Sequence, residues 1–223
     1  MQHVKPQIDP QTCWEALIDD TTAAVAVLDQ RGRVLYANSV ARRVLGDDSP
    51  IGRTLHELFS KDLADERISL ISRAITDGEP VTYDSMIRGV AFRTVLRPMT
   101  DRDGSTVALL VARPAAGSDT SQSGDSPRHV VRATVNDAGP LKSLTRREFE
   151  VLGMIGEGLS TAAIAQRLGR SVKTVEGHRV ALGSKLVVGN RVELARIAIR
   201  AGLCRFDAAV HDPIPRVQYA NGA

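Results

Sequence analysis

Side chains able to contact the edges of DNA bases recur on one side of the segment 172–186. At 100° per residue, that side gathers Lys173, Glu176, Gly177, Val180 and Ser184. The opposite side gathers three apolar residues and a histidine: Val175, His178, Leu182 and Leu186. Lysine pairs with guanine edges, glutamate accepts from the cytosine amino group, and valine contacts the thymine methyl. A helix buried on one face, with small and polar groups on the other, suits the DNA major groove.

Nine residues of this sequence are predicted to contact DNA. Those expected at or near base edges are Lys173, Thr174, Glu176, Gly177 and Val180. Those expected toward the phosphates are Arg179, Lys185 and Arg191, and Thr161 completes the set. Glycine inside a helix costs about 0.5–1 kcal/mol relative to alanine, so Gly177 indicates a close approach of helix and groove. A chance surface glycine is the alternative interpretation.

His178 lies on the face of this helix that we expect to be buried. We predict a packed or hydrogen-bonded core histidine there rather than a metal ligand. The reason is that no second His or Cys lies near it at the spacing of a metal site.

Start and stop signals divide residues 144–203 into four helices. Thr145 and Glu148 form a capping box, which predicts that the first helix begins at Arg146. The later N-cap residues are Ser160, Ser171 and Asn190, and the glycines that end the first two helices are Gly156, Gly158 and Gly169. Because the second and third helices are joined so tightly, they are predicted to form a helix-turn-helix.

Several separated motifs of this region agree in order and spacing with a known family. They are LTRREFEVL at 144–152, GLSTAAIA at 158–165, SVKTVEGHR at 171–179, KL at 185–186 and NR at 190–191. This run resembles the LuxR-type (GerE-like) DNA-binding domain of bacterial transcription regulators. The resemblance implies four helices, with the third in the major groove and the fourth pairing two subunits on DNA. Ala163 departs from the pattern, since the family usually has Glu there.

Positive charge is concentrated in the same region. Residues 144–203 contain 10 Lys and Arg against 5 Asp and Glu, whereas residues 11–113 contain 13 against 15, within a chain of net charge +3. Such an excess favours contact with phosphates. The candidates are Arg146, Arg147, Arg167, Arg170, Lys173, Arg179, Lys185 and Arg191. Solvated surface cations are the alternative for each, and about half are expected on phosphate.

The N-terminal region is predicted to be an α+β domain with an antiparallel sheet and flanking helices. Strands are expected at 24–29, 34–38, 81–87, 91–99 and 106–112, and helices from Asn38, at 54–59 and at 63–75. This order, with the turn Asp29 to Gly32, Asn38 after Tyr36, and Asp103-Gly104 before the last strand, resembles a PAS sensory domain. The resemblance implies a cavity between sheet and helices that holds a cofactor, a metabolite or nothing.

No cofactor is predicted, and the PAS ligand stays unknown. Flavin photosensors of this fold need a reactive Cys around 54–62, and haem-binding relatives use a His around 63–75; the sequence has neither. His56 is interpreted as a surface histidine. Candidates for lining a pocket are Tyr36, Tyr83, Met86, Phe92 and Met99, although such residues often simply fill a core. A small molecule or a protein is the expected partner of this domain.

A phosphorylation receiver is disfavoured. The acidic pairs Asp19-Asp20 and Asp47-Asp48 follow no continuous apolar strand, and the lysines before position 142 are Lys5 and Lys61. These acidic pairs are better interpreted as turn and cap residues.

The predicted organisation is a PAS-like sensory domain at 11–114, a flexible linker at 115–142, a helix-turn-helix domain at 143–203 and a loose tail at 204–223. No apolar run has membrane-spanning length and the start lacks a signal-peptide core, so a cytoplasmic protein without membrane contact is expected. The expected function is not catalytic: a signal-sensing transcription regulator binds double-stranded DNA as a homodimer.

Two alternatives remain open. A sigma-factor promoter-reading domain shares the L-T-x-R-E start, but no polymerase-binding helical region precedes this one and a capped fourth helix follows it. A PAS-based protein-interaction or ligand-sensing adaptor, whose helical domain has lost DNA binding, belongs to a different functional class.

Overall fold

The computed structural model describes residues 10–101, 103–115 and 130–204 of the chain. An α+β half comes first and a helical half follows. The helices of the first half are α1 (Pro10–Asp19), α2 (Ser39–Leu45), α3 (Leu55–Leu58) and α4 (Lys61–Asp77). Its strands are β1 (Ala24–Leu28), β2 (Val34–Ala37), β3 (Val81–Ile87), β4 (Val90–Thr100), β5 (Thr106–Pro114) and β6 (Val130–Arg132).

The six strands form one sheet in the order β2-β1-β5-β4-β3-β6. Neighbouring strands are antiparallel except for β6, which runs parallel to β3. The predicted sheet and helices are therefore confirmed, but the sheet is mixed rather than purely antiparallel. The sixth strand lies within residues 129–135, where mild alternation in the sequence left open either a short strand or an extended segment, and the structure forms the short strand.

The predicted linker needs a correction in its second half. Residues 130–142 are not a free connection: they include β6 and all but the last residue of a 3-10 helix at Gly139–Ser143. The physical reason is that backbone pairing with β3 and side-chain contacts from α4 hold this stretch in place. The first half of the linker and nearly all of the predicted tail lie outside the described residues.

The core of the α+β half lies between the sheet and helices α2 to α4. Helix α4 turns a continuous stripe toward the sheet, with Leu63, Ala64, Leu70, Ile71 and Ala74 buried. Asn38 ties the strands to α2: its side-chain oxygen accepts from the Val25 and Ala41 amides at 3.1 and 2.8 Å. Its amide nitrogen donates to the carbonyls of Ile18 and Ala23 at 3.1 and 3.0 Å.

The helical half contains α5 (Arg146–Gly156), α6 (Thr161–Leu168), α7 (Val172–Leu186) and α8 (Arg191–Arg200). All four predicted helix starts are confirmed. Thr145 and Glu148 form the capping box, with the Thr145 amide donating to Glu148 at 2.7 Å. Ser160, Ser171 and Asn190 each accept an amide hydrogen bond from the first turn that they cap. Local capping chemistry therefore fixes where each helix begins.

A compact apolar cluster holds these four helices together. Its most buried members are Val151, Leu152, Ile164, Val175, Leu182 and Ala198. Leu141 of the 3-10 helix belongs to this cluster, and Met86 of β3 packs against it. The helical half is thus in contact with the β3–β4 hairpin.

Helix α1 was not predicted. Its residue Ile18 packs with Ala23 and Val25 in a small cluster separate from the main core. Within the residues that are described, no helix has the length and apolar character needed to cross a membrane.

Candidate nucleic-acid interface

Helix α7 has one buried face and one exposed face, as predicted. Val175 and Leu182 are buried within the helical cluster, and His178 is half-buried beside them. On the other face Lys173 and Glu176 are exposed, and Val180 has 69% of its surface exposed. A valine that open to water gains nothing from the protein's own core, so this face is available to a partner.

Gly177 lies at the middle of the exposed face. A Cβ placed on Gly177 would meet no other heavy atom within 4 Å. The protein's own packing therefore does not require glycine at this position. Helix propensity disfavours glycine, and no contact within the chain requires it here, so the protein's own packing does not explain the absence of a side chain at position 177.

Helix α7 is capped at its start and held to α5 by an ion pair near its end. At its start, Ser171 accepts the Thr174 amide at 3.1 Å, and the Ser171 and Thr174 hydroxyls are 2.8 Å apart. Near its end, the Lys185 ammonium is 2.6 Å from the carboxylate of Glu148, whose side chain is 7% exposed. The hydrogen bond from Lys185, followed by that from the Thr145 amide, lowers the pKa of Glu148 below its usual value. Glu148 thus caps α5 and holds α7 at the same time.

Most of the basic residues predicted on phosphate are engaged within the chain. Arg147 contacts Glu150 at 2.7 Å and the Leu168 carbonyl at 3.1 Å, and Arg167 contacts Glu157 at 3.0 Å. Those partners hold the two guanidinium groups against the domain rather than leaving them free.

Two of the residues predicted to contact phosphates are also bound to other parts of the chain. Lys185 is paired with Glu148, and Arg191 donates to the Leu159 carbonyl. Arg179 differs from both, because its side chain makes no ion pair and no hydrogen bond with the described residues. The sequence could not separate these groups, because the partners lie 37 and 32 residues away along the chain.

Besides Lys185, three cations are exposed near α7: Arg170, Lys173 and Arg179. None of them has an ion pair among the residues described here. Two of them, Lys173 and Arg179, lie on α7, and Arg170 lies in the turn before it. Thr161, at the first turn of α6, is half-buried. The structure therefore brings a small set of unpaired cations together around the exposed face of the third helix.

Two family models match this chain. Residues 142–198 match the luxR family of bacterial regulatory proteins, and residues 18–113 match the PAS fold. The two matches cover separate parts of the chain, and these parts are called the PAS-fold domain and the luxR-family domain below. Both expected resemblances are confirmed, and so is the fold class.

Curated relatives match about a third of this chain. The transcriptional activator protein ExaE of Pseudomonas putida is 47% identical over 68 residues, which are 30% of this chain and 32% of that protein. The oxygen regulatory protein NreC of Staphylococcus aureus is 38% identical over 73 residues, which are 33% of this chain and 34% of that protein. The chain thus spans about a third of the length of these relatives.

Solved structures with similarity to this chain include VqmA of Vibrio cholerae in a complex with ligand and DNA. That match has 22% identity and a TM-score of 0.44, and covers 86% of this chain and 89% of VqmA. The PAS domain of nitrogen regulation protein NR(II) from Vibrio parahaemolyticus matches with 18% identity and a TM-score of 0.37, covering 44% of this chain and 94% of that domain.

A groove of about 560 Å³ runs between the end of α7 and the start of α8 in the luxR-family domain. Arg179, Val180, Val187 and Arg191 are among its lining residues. Val187 follows α7 with a φ of 55°, a left-handed conformation that is strained for a β-branched residue. Its side chain is 89% exposed, so no packing in the chain compensates that strain.

The PAS-fold domain encloses a cavity of about 70 Å³ between its sheet and helices. Tyr83 and Phe92 line it, as predicted. The other three proposed pocket residues are corrected. Tyr36 packs in the cluster with Ile18, Met86 packs toward the helical domain, and Met99 is largely exposed. Strand alternation alone did not reveal which face of the sheet each would occupy.

Arg67 is a functional candidate that sequence reasoning missed. It lines the cavity and is 6% exposed. Its guanidinium carbon lies 5.2 Å from the centre of the Tyr83 ring, and burial raises the pKa of that tyrosine. The sequence signal that could have identified Arg67 is a charged residue at a core-facing position of the otherwise apolar face of α4. Among the described residues, no cluster of three or more side chains is arranged to hold a metal ion.

Proposed function

We propose that this protein is a transcription regulator that binds double-stranded DNA through helix α7. The observation that carries the proposal is the exposed face of α7 around Gly177, which is open to a partner while the opposite face is buried in the helical core. The match of this domain to the luxR family of regulatory proteins supports it. The function proposed is binding and not catalysis.

In the proposed complex, the exposed face of α7 lies in the major groove. Lys173 and Glu176 approach base edges, Val180 contacts a thymine methyl, and Gly177 permits the close approach. Thr174, which closes the cap of α7, and Thr161 on α6 lie at the edge of the same contact.

We assign the phosphate contacts by availability. Arg179 is exposed and has no ion pair in the described part of the chain, so it meets the backbone directly. Arg170 joins it as a further candidate from the turn before α7. Lys185 is already bound to Glu148, and Arg191 is already bound to the Leu159 carbonyl. To contact a phosphate, each must share its present partner or give it up. Their contribution is therefore smaller than that of Arg179.

The regulator acts as a homodimer in the cytoplasm, with a PAS-fold domain that senses a small molecule or a protein. Two copies of α7 would bind half-sites about one helical turn apart, roughly 34 Å. Signal binding biases the geometry of the dimer or the availability of α7. The contact between the β3–β4 hairpin and the helical cluster, through Met86, supports a mechanical link between sensing and binding.

The test is a fluorescence-anisotropy titration at two salt concentrations, with random DNA and with a specific site found by sequencing the host DNA fragments that copurify with the protein. Lys173→Ala and Val180→Ala should lower discrimination between specific and random DNA. Arg179→Ala should weaken binding to both and reduce the slope of log affinity against log salt by about one unit. Arg73→Ala, which removes an exposed cation from α4 of the PAS-fold domain, is the matched control and should bind as the unchanged protein does.

Two results would contradict the proposal. Equal effects of all three α7 substitutions on specific and random DNA would remove the distinction between base and phosphate contacts. Absence of salt-dependent binding to any DNA would favour the protein-interaction adaptor instead.

A further inference from the structure

The sheet of the PAS-fold domain has an outer face, which points away from helices α2 to α4. Along β3 to β6 the side chains alternate between the two faces, and the inward set forms part of the apolar core. The outward set of these four strands contains four arginines and one acidic residue: Arg93, Arg97, Arg113, Arg132 and Asp84. This face is therefore basic, although residues 11–113 contain more acidic than basic residues.

Strand register aligns most of these charges in one row across the sheet. Arg132 of β6 is opposite Asp84 of β3, Asp84 is opposite Arg93 of β4, and Arg93 is opposite Arg113 of β5. Neighbouring strands lie about 4.8 Å apart, so the row from Arg132 to Arg113 is about 14 Å long. Arg97 is on the same face of β4, about 13 Å from Arg93 along the strand. We call the four arginines the outer arginines.

Three of the outer arginines have no partner within the described part of the chain. The Asp84 carboxylate is occupied by Arg93, which donates two hydrogen bonds to it at 2.8 and 2.9 Å. Arg97, Arg113 and Arg132 are exposed, and none makes an ion pair or a side-chain hydrogen bond with the residues described. Like charges directly opposite each other destabilise a sheet, and Arg93 and Arg113 are such a pair. The fold itself gains nothing from gathering these cations.

The charge of the outer face determines what can cover it. A second copy placed face to face would bring like charges together, which opposes association. A partner with closely spaced negative charges would instead neutralise the outer arginines. Each strand of double-stranded DNA has one phosphate per about 3.4 Å of helix axis, so a row of about 14 Å can meet several phosphates. A guanidinium group pairs with phosphate through two parallel hydrogen bonds.

The outer face also adjoins the domain proposed to bind DNA. A Cβ on Gly202, which follows α8, would lie 3.1 Å from the Ala91 Cβ and 3.7 Å from the Ala115 carbonyl oxygen. Each of these alanines is two residues from a member of the arginine row. Arg200, at the end of α8, is exposed and has no ion pair among the described residues. Unpaired basic side chains therefore lie on both sides of the contact between the two domains.

We propose that the outer arginines bind the phosphates of DNA that flanks the site contacted by α7. The contact is independent of base sequence, because phosphate contacts carry no direct sequence information. It adds affinity and holds the PAS-fold domain against the DNA. This inference rests on the proposed function, since it adds a second contact with the same DNA. The two contacts have different requirements: α7 needs a specific site, and the outer arginines need flanking length.

The test uses the full chain and two duplexes that contain the same specific site. The short duplex, of about 20 base pairs, ends at the two half-sites, and the long one extends each end by about 20 base pairs of random sequence. The triple variant Arg97→Gln, Arg113→Gln, Arg132→Gln should bind the long duplex at least tenfold more weakly than the unchanged protein. Its slope of log affinity against log salt should fall by about one unit for each contact removed. Affinity for the short duplex should be unchanged.

Two further variants serve as controls. Arg31→Gln, Arg43→Gln, Arg73→Gln removes the same charge from exposed arginines that lie outside β3 to β6, and this variant should bind both duplexes as the unchanged protein does. Lysine at positions 97, 113 and 132 keeps the charge and should retain most of the affinity for the long duplex. Melting curves check that the variants are folded, and Arg97→Gln, Arg132→Gln replaces the triple glutamine variant if that one is not.

The outcomes separate this contact from its alternatives. The proposal is overturned if the glutamine variant binds the long duplex as tightly as the unchanged protein, or if the control arginine variant loses as much affinity. If the glutamine variant keeps its affinity for DNA but loses binding to polyglutamate, the outer face docks an acidic protein and the DNA contact is wrong. Failure of the proposed function gives a different result, because the unchanged protein would then show no preference for the specific site on the short duplex.

Discussion

Substituting Gly177 by alanine should change folding stability and DNA binding in opposite directions. In the free protein an added Cβ meets no other heavy atom within 4 Å, so the substitution creates no clash. Alanine is favoured over glycine in a helix interior by about 0.5–1 kcal/mol. For a domain of this size, such a gain corresponds to a rise in melting temperature of about 2–8 °C.

On DNA the same methyl group should be harmful. If the exposed face of α7 lies against the floor of the major groove, a Cβ at position 177 occupies space needed for close approach. We expect at least a tenfold loss of affinity for specific DNA, which is about 1.4 kcal/mol. Differential scanning calorimetry and anisotropy titrations on the same preparations measure both quantities.

Gly153→Ala is the matched control for this experiment. Gly153 lies inside α5, and its added Cβ would make only ordinary contacts, the nearest at 3.6 Å from the Leu203 carbonyl. It should stabilise the fold by a similar amount and leave DNA binding unchanged. If Gly177→Ala binds DNA as tightly as the unchanged protein, α7 does not approach the groove at this position, and the reasoning from the open glycine is wrong.

Further substitutions test the contacts that hold the two domains. Glu148→Gln removes a carboxylate whose lowered pKa stabilises the fold at neutral pH. That stabilisation is present above the ordinary glutamate pKa and is lost as the pH falls. In urea melts, the stability deficit of the variant should therefore shrink from about pH 5 downward. Val187→Gly should raise the melting temperature, because relief of the left-handed conformation is worth roughly 1 kcal/mol; an unchanged melting curve would mean that the valine is not strained. Asn38→Ala leaves four buried backbone groups without their partner and should cost about 3 kcal/mol or more, measured by chemical denaturation of the full chain; a cost under about 1 kcal/mol would contradict the role of Asn38 as a hub.

Local signals in the sequence were sufficient to predict where each helix of the helical domain begins. Helix starts depend on a cap residue and its partner three positions later, so Thr145 with Glu148 and Asn190 with Glu193 can be recognised within four residues. The two faces of α7 follow from helical periodicity in the same way. The family motifs added the expectation that the exposed face reads DNA.

Tertiary structure alone decided which charged side chains are available to a partner and which are bound to other residues of the chain. Lys185 and Arg179 look equivalent in sequence, yet the first pairs with Glu148, 37 residues away, and the second has no ion pair among the described residues. Arg67 likewise donates to the carbonyl of Val135, 68 residues later, a contact that no local pattern in the sequence indicates. Periodicity and capping act over a few residues, whereas ion pairs, cavities and added strands depend on chain segments that only folding brings together.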